Sequence, residues 1–254
     1  MSDALTFPIS EIFGPTIQGE GSMIGRQTLF VRFAGCDYRC SWCDTKYAAY
    51  AEEVRAAKAS GEVVRMARKE IVDRCLELSD LPGSWITFSG GNPALFNTRL
   101  LIQDLHAEGF HVAMETQGSA VPFPRAMELV DHLILSPKPP SSGMETDWDI
   151  LKECRQIGEL YGRVAFKVVI FNMEDLEYAT RVRQNFPKAE MWLSAGTPQD
   201  EPDLLRSSIE LESNILNRTR WLAEMVCGPY QTKLIDVGVL PQLHVLLWGT
   251  ERGV

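Results

Sequence analysis

The chain has 254 residues, 45% of them hydrophobic and 23% charged, with a formal net charge of -9. This composition describes an ordinary globular protein with enough apolar material for a large core. The acidic balance, with no basic stripe to offset it, argues against nucleic-acid backbone binding as the main task. No apolar run approaches the roughly 20 residues needed to span a bilayer.

Met1–Thr6 lacks the basic and apolar regions of a secretory signal, so the expected location is the cytoplasm. The first predicted strand is Leu29–Ala34. The basic stretch Arg65–Lys69, flanked by Glu62 and Glu70, reads as a solvated helix face. A helix over Arg68–Leu78 follows, then a strand at Trp85–Phe88 and a helix over Thr98–Glu108, which Asn97 can cap and Gly109 can end. Next come a strand at Phe110–Met114, a helix at Pro124–Val130 and a strand at His132–Leu135. A helix over Asp147–Tyr161, a strand at Val164–Ile170, a helix over Met173–Asn185 stopped by Pro187, and a strand at Glu190–Leu193 complete the pattern.

Strands alternating with helices imply βαβ units and a mainly parallel sheet with right-handed crossovers. Five or six units are too few for an eight-fold barrel. The expected fold class is therefore α/β, an incomplete, TIM-like β/α barrel of about six strands, with residues 1–254 as one domain. Ligands gather at the carboxyl ends of such strands. Four unusual loops fall there: Gly35–Thr45, Ser89–Pro93, Glu115–Gly118 and Ser136–Ser142.

Three of the six cysteines lie within eight residues, in Gly35-Cys36-Asp37-Tyr38-Arg39-Cys40-Ser41-Trp42-Cys43-Asp44. The others, Cys75, Cys154 and Cys227, sit in apolar contexts and read as small buried hydrophobes. Thiolates are soft ligands suited to iron–sulfur clusters and to zinc. Three cysteines on one loop can hold three corners of a [4Fe–4S] cube and leave one iron open. A structural zinc usually takes four protein ligands and would need a remote fourth here.

CxxxCxxC with Trp42 before the last cysteine resembles the signature of the radical S-adenosylmethionine superfamily. Further blocks are similar to the 7-carboxy-7-deazaguanine synthase family: Glu11–Gly21 with Phe30-Val31-Arg32, Thr87–Pro93, Glu115–Gly118, Ser136–Ser142, Lys167–Asn172 and Leu240–Gly249. The resemblance implies a barrel of the radical S-adenosylmethionine type and a carbon–nitrogen lyase that converts 6-carboxy-5,6,7,8-tetrahydropterin to 7-carboxy-7-deazaguanine and ammonia. It implies a 5′-deoxyadenosyl radical made at the open iron, S-adenosylmethionine that is regenerated rather than consumed, and a magnesium ion. A homodimer and a flavodoxin-type reductant are the family expectation, in the service of queuosine or related deazapurine biosynthesis, with no direct nucleic-acid or membrane partner.

The resemblance also distributes roles among residues. Cys36, Cys40 and Cys43 would ligate the cluster, and Thr45 matches the magnesium hydroxyl, although a Thr there can equally cap a turn. Ile17, Gln18, Gly19, Glu20, Arg32, Ser89 and the C-terminal Val254 would bind the substrate. Arg32 suits its carboxylate as a fork donor, unless it forms a surface ion pair instead. Glu20 is either an acceptor for the ring's N–H edge or a turn-stabilising carboxylate. Gly91, Glu115, Gln117, Ser136, Pro137, Lys138 and Ser194 would contact S-adenosylmethionine; alone, Lys138 also reads as a surface charge. Asn92 stands where many radical enzymes carry Glu, which removes a charge interaction with the cofactor ammonium. His244 either touches substrate or packs. Two rivals remain: a glycyl-radical activating enzyme, which shares the cysteine loop, and a structural zinc or iron–sulfur module.

Overall fold

Among the described residues the apolar runs assemble into one nine-stranded sheet of order β3-β1-β2-β4-β5-β6-β7-β8-β9. The computed structural model describes residues 5–121, 126, 128–197, 208–249 and 251–254. Its strands are β1 (Thr6–Ile17), β2 (Gln27–Phe33), β3 (Val64–Ala67), β4 (Trp85–Gly90), β5 (His111–Thr116), β6 (His132–Leu135), β7 (Arg163–Ile170), β8 (Glu190–Ala195) and β9 (Gly238–Leu240). From β2 through β9 in that order every neighbouring pair is parallel. β1 is antiparallel to both β2 and β3.

The helices are α1 (Lys46–Ala49), α2 (Ala51–Ser60), α3 (Arg68–Leu78), α4 (Arg99–Ala107), α5 (Trp148–Tyr161), α6 (Met173–Asn185), α7 (Ser208–Cys227) and α8 (Leu243–Trp248). Central strands such as Trp85-Ile86-Thr87-Phe88 are buried along nearly their whole length, as strands in the middle of a parallel sheet must be. The helices dock by narrow apolar stripes. In α4, Leu101, Ile102 and Leu105 are fully buried; at about 2 kcal/mol each, they outweigh the missing side-chain cap at Thr98. Asp147 and Asn172 do cap α5 and α6, accepting from Ile150 N and Asp175 N respectively.

Several expectations change. All six expected strands form, but three more join them: β1, β3 and β9. Arg65 and Met66 belong to β3 rather than a helix, and Arg65 donates to Thr6 Oγ1 while staying exposed. Asn97 Oδ1 does accept from Arg99 N at 3.4 Å, though Thr98 holds the capping position of α4. Cys75 and Cys154 are buried, but Cys227, at the end of α7, is exposed. The helix expected at Pro124–Val130 falls partly on residues outside the described set; of the rest, Ala126 is helical and Glu128 and Leu129 form a turn. Among the described residues no helix is long and apolar enough to cross a membrane.

His132 illustrates the cost of placing a polar group in a central strand. It is 3% exposed, and its Nε2 lies 3.0 Å from Ser22 Oγ. Burial, assisted by Arg163, pushes its pKa down from 6.5 to about 4. Between these values the unfolded chain binds a proton that the folded chain does not, so stability is whole above pH 6.5 and falls as the pH drops to about 4. His132→Gln should flatten this limb by about 3 kcal/mol. Denaturant unfolding of both proteins at pH 7, 5.5 and 4.5 checks it; parallel curves would contradict the assignment.

Candidate active site

The four loops predicted at the strand ends do meet. Cys36, Cys40 and Cys43 on the loop after β2 face Ser89, Gly90 and Gly91 from β4, Glu115 and Gln117 from β5, and Ser136 and Lys138 after β6, all around one cavity. The cysteine loop is stitched to the β6 loop. Ser41 N donates to Ser142 O (3.0 Å), Ser41 Oγ to Ser141 O (2.8 Å) and Trp42 Nε1 to Ser141 Oγ (3.0 Å). Buried Asp175 then ties that β6 loop to the start of α6, accepting from Ser141 N and Phe171 N.

The first glycine-rich contact is steric. Gly91 N donates to Phe33 O and Asn92 N to Gly35 O. A Cβ on Gly91 would lie 2.0 Å from Gly35 O and 3.0 Å from Cys36 N. The glycine is thus required by the backbone of the cysteine loop itself. Asn92 is fully buried and braces the same junction: its Oδ1 accepts from Thr116 Oγ1 and Ala94 N, and its Nδ2 donates to Asp37 Oδ1 and Ser119 Oγ.

The thiols are partly enclosed. Cys36 Sγ accepts from Tyr38 N (3.4 Å) and Gln117 Nε2 (3.3 Å), and Cys43 Sγ lies 3.7 Å from Thr45 Oγ1. Burial pushes all three thiols up, Cys40 to about 11, against the opposing pull of Lys138. Among the described residues, no three His, Cys, Asp or Glu side chains converge as ligands of a single ion would. A cubane does not need that convergence, because each cysteine binds a different iron. Lys138 is half-buried, donates to Ser136 Oγ (3.1 Å) and sits 5.8 Å over the Trp42 ring, so it is part of the cavity rather than a free surface charge.

A second cavity opens beside the first. It is lined by Ile17, Gln18, Gly19, His244 and Val254, and it shares Glu20, Arg32, Thr45, Ser89 and Glu115 with its neighbour. Every residue expected at the substrate therefore reaches this wall. Arg32 stands opposite Glu11 across the β1–β2 register, and its Nε donates to Glu11 Oε1 at 2.6 Å. Tyr47 Oη donates to the same oxygen at 2.6 Å. The pair is largely buried, 17% and 18% exposed at the side chains, and is therefore no surface ion pair.

The Glu20 carboxylate serves no turn; it accepts from Lys167 Nζ (2.7 Å) and Gln242 Nε2 (2.7 Å). Despite burial, Lys167 and then His244 hold its pKa down at about 2. Gly19 is pressed against α8: its carbonyl accepts from Leu243 N, and a Cβ would lie 2.2 Å from His244 Nδ1. His244 thus packs on the segment that lines the cavity. The Thr45 side chain makes no cap bond to α1, although its carbonyl accepts from Ala48 N and Ala49 N. Ser89 Oγ and Thr197 Oγ1 are buried without a protein partner on this wall. Pro137 and Ser194 line neither cavity, though Ser194 Oγ is likewise buried and unpartnered.

Five contributors were not assigned roles from sequence: Glu11, Tyr47, Lys167, Thr197 and Gln242. Lys167 left a readable signal, a single charge within the apolar run Val164–Ile170, which places it in a central strand. Gln242 left none.

No protein-family model matches the chain. Individual relatives do. The chain is 37% identical over 249 residues to the 7-carboxy-7-deazaguanine synthase of Bacillus cereus, covering 97% of this chain and 98% of the relative. It is 41% identical over 254 residues to that of Bacillus subtilis, with the same coverage. The chain belongs to the 7-carboxy-7-deazaguanine synthase family. The match to this synthase reaches archaea, at 31% identity over 252 residues with that of Pyrobaculum aerophilum, covering 96% of each. Among solved structures, the fold of the synthase-family chain resembles QueE from Escherichia coli, with a TM-score of 0.58, 21% identity, and 84% and 91% of the two chains covered. It also resembles SuiB from Streptococcus suis bound to S-adenosylmethionine, with a TM-score of 0.52, 13% identity, and 85% and 53% covered.

Proposed function

We propose that the protein is a radical S-adenosylmethionine enzyme that converts 6-carboxy-5,6,7,8-tetrahydropterin to 7-carboxy-7-deazaguanine and ammonia. The observation that carries the reading is the shared wall: a three-cysteine cavity and a second cavity with a buried arginine have Glu20, Arg32, Ser89 and Glu115 in common. Membership of the synthase family supports the choice of substrate.

The residues fit the groups that this chemistry requires. The three thiols have the spacing and soft donor character for a [4Fe–4S] cluster with one open iron. Gly91, Glu115, Gln117, Ser136 and Lys138 line the cysteine cavity and are assigned to S-adenosylmethionine, with Lys138 offering a cation for its carboxylate; Pro137 and Ser194, which line neither cavity, are assigned to it by the family resemblance alone. Thr45, beside Asp44 on the shared wall, offers hydroxyl oxygen to a magnesium ion, a hard cation that takes few protein ligands. When bound, the cluster and S-adenosylmethionine supply one-electron cleavage of a sulfonium bond and reversible hydrogen-atom transfer.

The chain's own contribution is to bind and orient. Arg32 anchors the pterin carboxylate; Glu11 fixes its guanidinium by accepting from the inner Nε, and Tyr47 holds Glu11 in place by donating to the same oxygen. Ionised Glu20 accepts from the ring's N–H edge, and the unpartnered Ser89 hydroxyl supplies a further hydrogen bond. Ile17, Gln18 and Gly19 form the cover, with Val254 at the rim. Enclosure by these residues keeps water from a reactive intermediate. Residues 1–254 are taken as one domain, its sheet as an open, partial barrel. A homodimer, a flavodoxin-type reductant and a cytoplasmic location complete the reading.

Anaerobic reconstitution tests it. Wild type should take up four irons and four sulfides and change its spectrum on adding S-adenosylmethionine, in line with a [4Fe–4S] site. Cys40→Ala should lose both properties and all turnover of the pterin. Tight binding of zinc without iron would overturn the reading.

A further inference from the structure

Next to the shared wall, lining the cysteine cavity, is a buried lysine that neither anchors the pterin nor touches the cysteines. Lys167 comes from β7, and its side chain is 7% exposed. Its Nζ donates to Glu20 Oε2 at 2.7 Å and to Glu115 Oε1 at 3.2 Å. Glu20 comes from the segment after β1 and Glu115 from β5, so one ammonium joins three separate parts of the chain. The remaining contacts close a network. Gln18 Nε2 donates to Glu115 Oε1 (3.2 Å), Gln18 Oε1 accepts from Glu20 N (3.2 Å), and Gln242 Nε2 donates to Glu20 Oε1.

The other cations that line the two cavities are engaged elsewhere: Arg32 with Glu11, Lys138 with Ser136, and Arg252 over the Tyr47 ring. Among the described residues Lys167 alone lies within ion-pair distance of Glu20 or Glu115. Burial, which alone would lower the lysine's pKa, is outweighed by Glu115 and Glu20, and the ammonium is held well above its ordinary range. A charge this enclosed is tolerated only because two carboxylates match it, and each carboxylate depends on it in turn.

We propose that Lys167 is a positioning residue that couples the cofactor and substrate halves of the site, holding Glu115 for S-adenosylmethionine and Glu20 for the pterin with a single ammonium. This inference rests on the proposed roles of those two carboxylates. Binding at either half draws on the same cation, so a change at one carboxylate is felt at the other. The free energy of such coupling is reciprocal.

The test uses the reconstituted holoenzyme and separate equilibrium titrations with S-adenosylmethionine and with 6-carboxytetrahydropterin. Lys167→Met should keep its cluster and weaken both ligands about tenfold, within the usual span of coupling between sites. The double variant Lys167→Met/Glu115→Gln should recover most of the pterin affinity, because Glu20 no longer faces an uncompensated carboxylate, while cofactor affinity stays weak. A lysine that merely supports the fold would not be rescued by a second substitution. If Lys167→Met does not hold its cluster, Glu20→Gln with Lys167 retained serves instead, and it should shift the affinity for S-adenosylmethionine severalfold. An effect of Lys167→Met on one ligand only, no rescue in the double variant, or an unchanged cofactor affinity in Glu20→Gln overturns the coupling. Wild type that binds S-adenosylmethionine but no pterin overturns the proposed substrate itself, a separate failure.

Discussion

Gly91→Ala is expected to strip the protein of most of its iron–sulfur cluster, although Gly91 is not a ligand. The new methyl carbon would stand 2.0 Å from Gly35 O, 2.4 Å from Gly35 C and 3.0 Å from Cys36 N. All three are backbone atoms, so no rotamer change relieves the clash. The strands must separate, breaking Gly91 N to Phe33 O and Asn92 N to Gly35 O, or the segment carrying Cys36 must move. Either response costs several kcal/mol, the range of the most damaging single substitutions. Iron content after reconstitution, read with the melting temperature, checks this. A variant that keeps four irons and loses only affinity for S-adenosylmethionine would show instead that the glycine is needed for the cofactor's approach.

Arg32→Ala is expected to lower pterin affinity about 100-fold, the loss of a charge-assisted two-pronged bond of roughly 3 kcal/mol. Cluster assembly should survive, since the hydrogen bond and ion pair of Arg32 are made to Glu11 and not to the cysteines. The substitution carries a second cost. Glu11 would be left largely buried without its cation, which destabilises a fold by about 3 kcal/mol. The two effects separate in Arg32→Ala/Glu11→Gln. Removing the stranded charge should restore stability in denaturant and leave pterin affinity as poor as before. Recovery of affinity in the double variant would reduce Arg32 to a structural partner of Glu11.

These two sites also mark how far the sequence could be read. The parallel strands from β2 to β8 are legible because a strand covered on both faces must be apolar along nearly all its length, as in Val164–Ile170, where Lys167 is the one charge. β1 breaks that rule. Pro8, Gly14 and Pro15 interrupt it, and its register with β2 shifts twice, so no clean alternation survives. β3 has four residues, two of them exposed, too few to show a period. In α7 the signal exists: Leu211, Ile215, Leu222 and Val226 are buried at helical spacing. It is obscured by the charged residues between them.

At the site, the cysteines are legible because their ligand spacing is local. Arg32 is legible as a donor, but its partner Glu11 follows only from the hairpin register. The Lys167 network joins residues 147 and 52 positions apart, a relation that no local pattern encodes. Gly91 shows a different limit. A glycine read as an opening for a ligand proves to be required by the neighbouring backbone, and sequence alone cannot distinguish those two needs.

Whether the chain's residues direct a regenerated radical source onto a pterin is decided by a count of product against cofactor. Reduced, reconstituted enzyme is supplied with magnesium, excess 6-carboxy-5,6,7,8-tetrahydropterin and a limiting amount of S-adenosylmethionine. Several equivalents of 7-carboxy-7-deazaguanine are expected for each S-adenosylmethionine, most of which is recovered intact. Deoxyadenosine accumulating without the deazaguanine acid would contradict it.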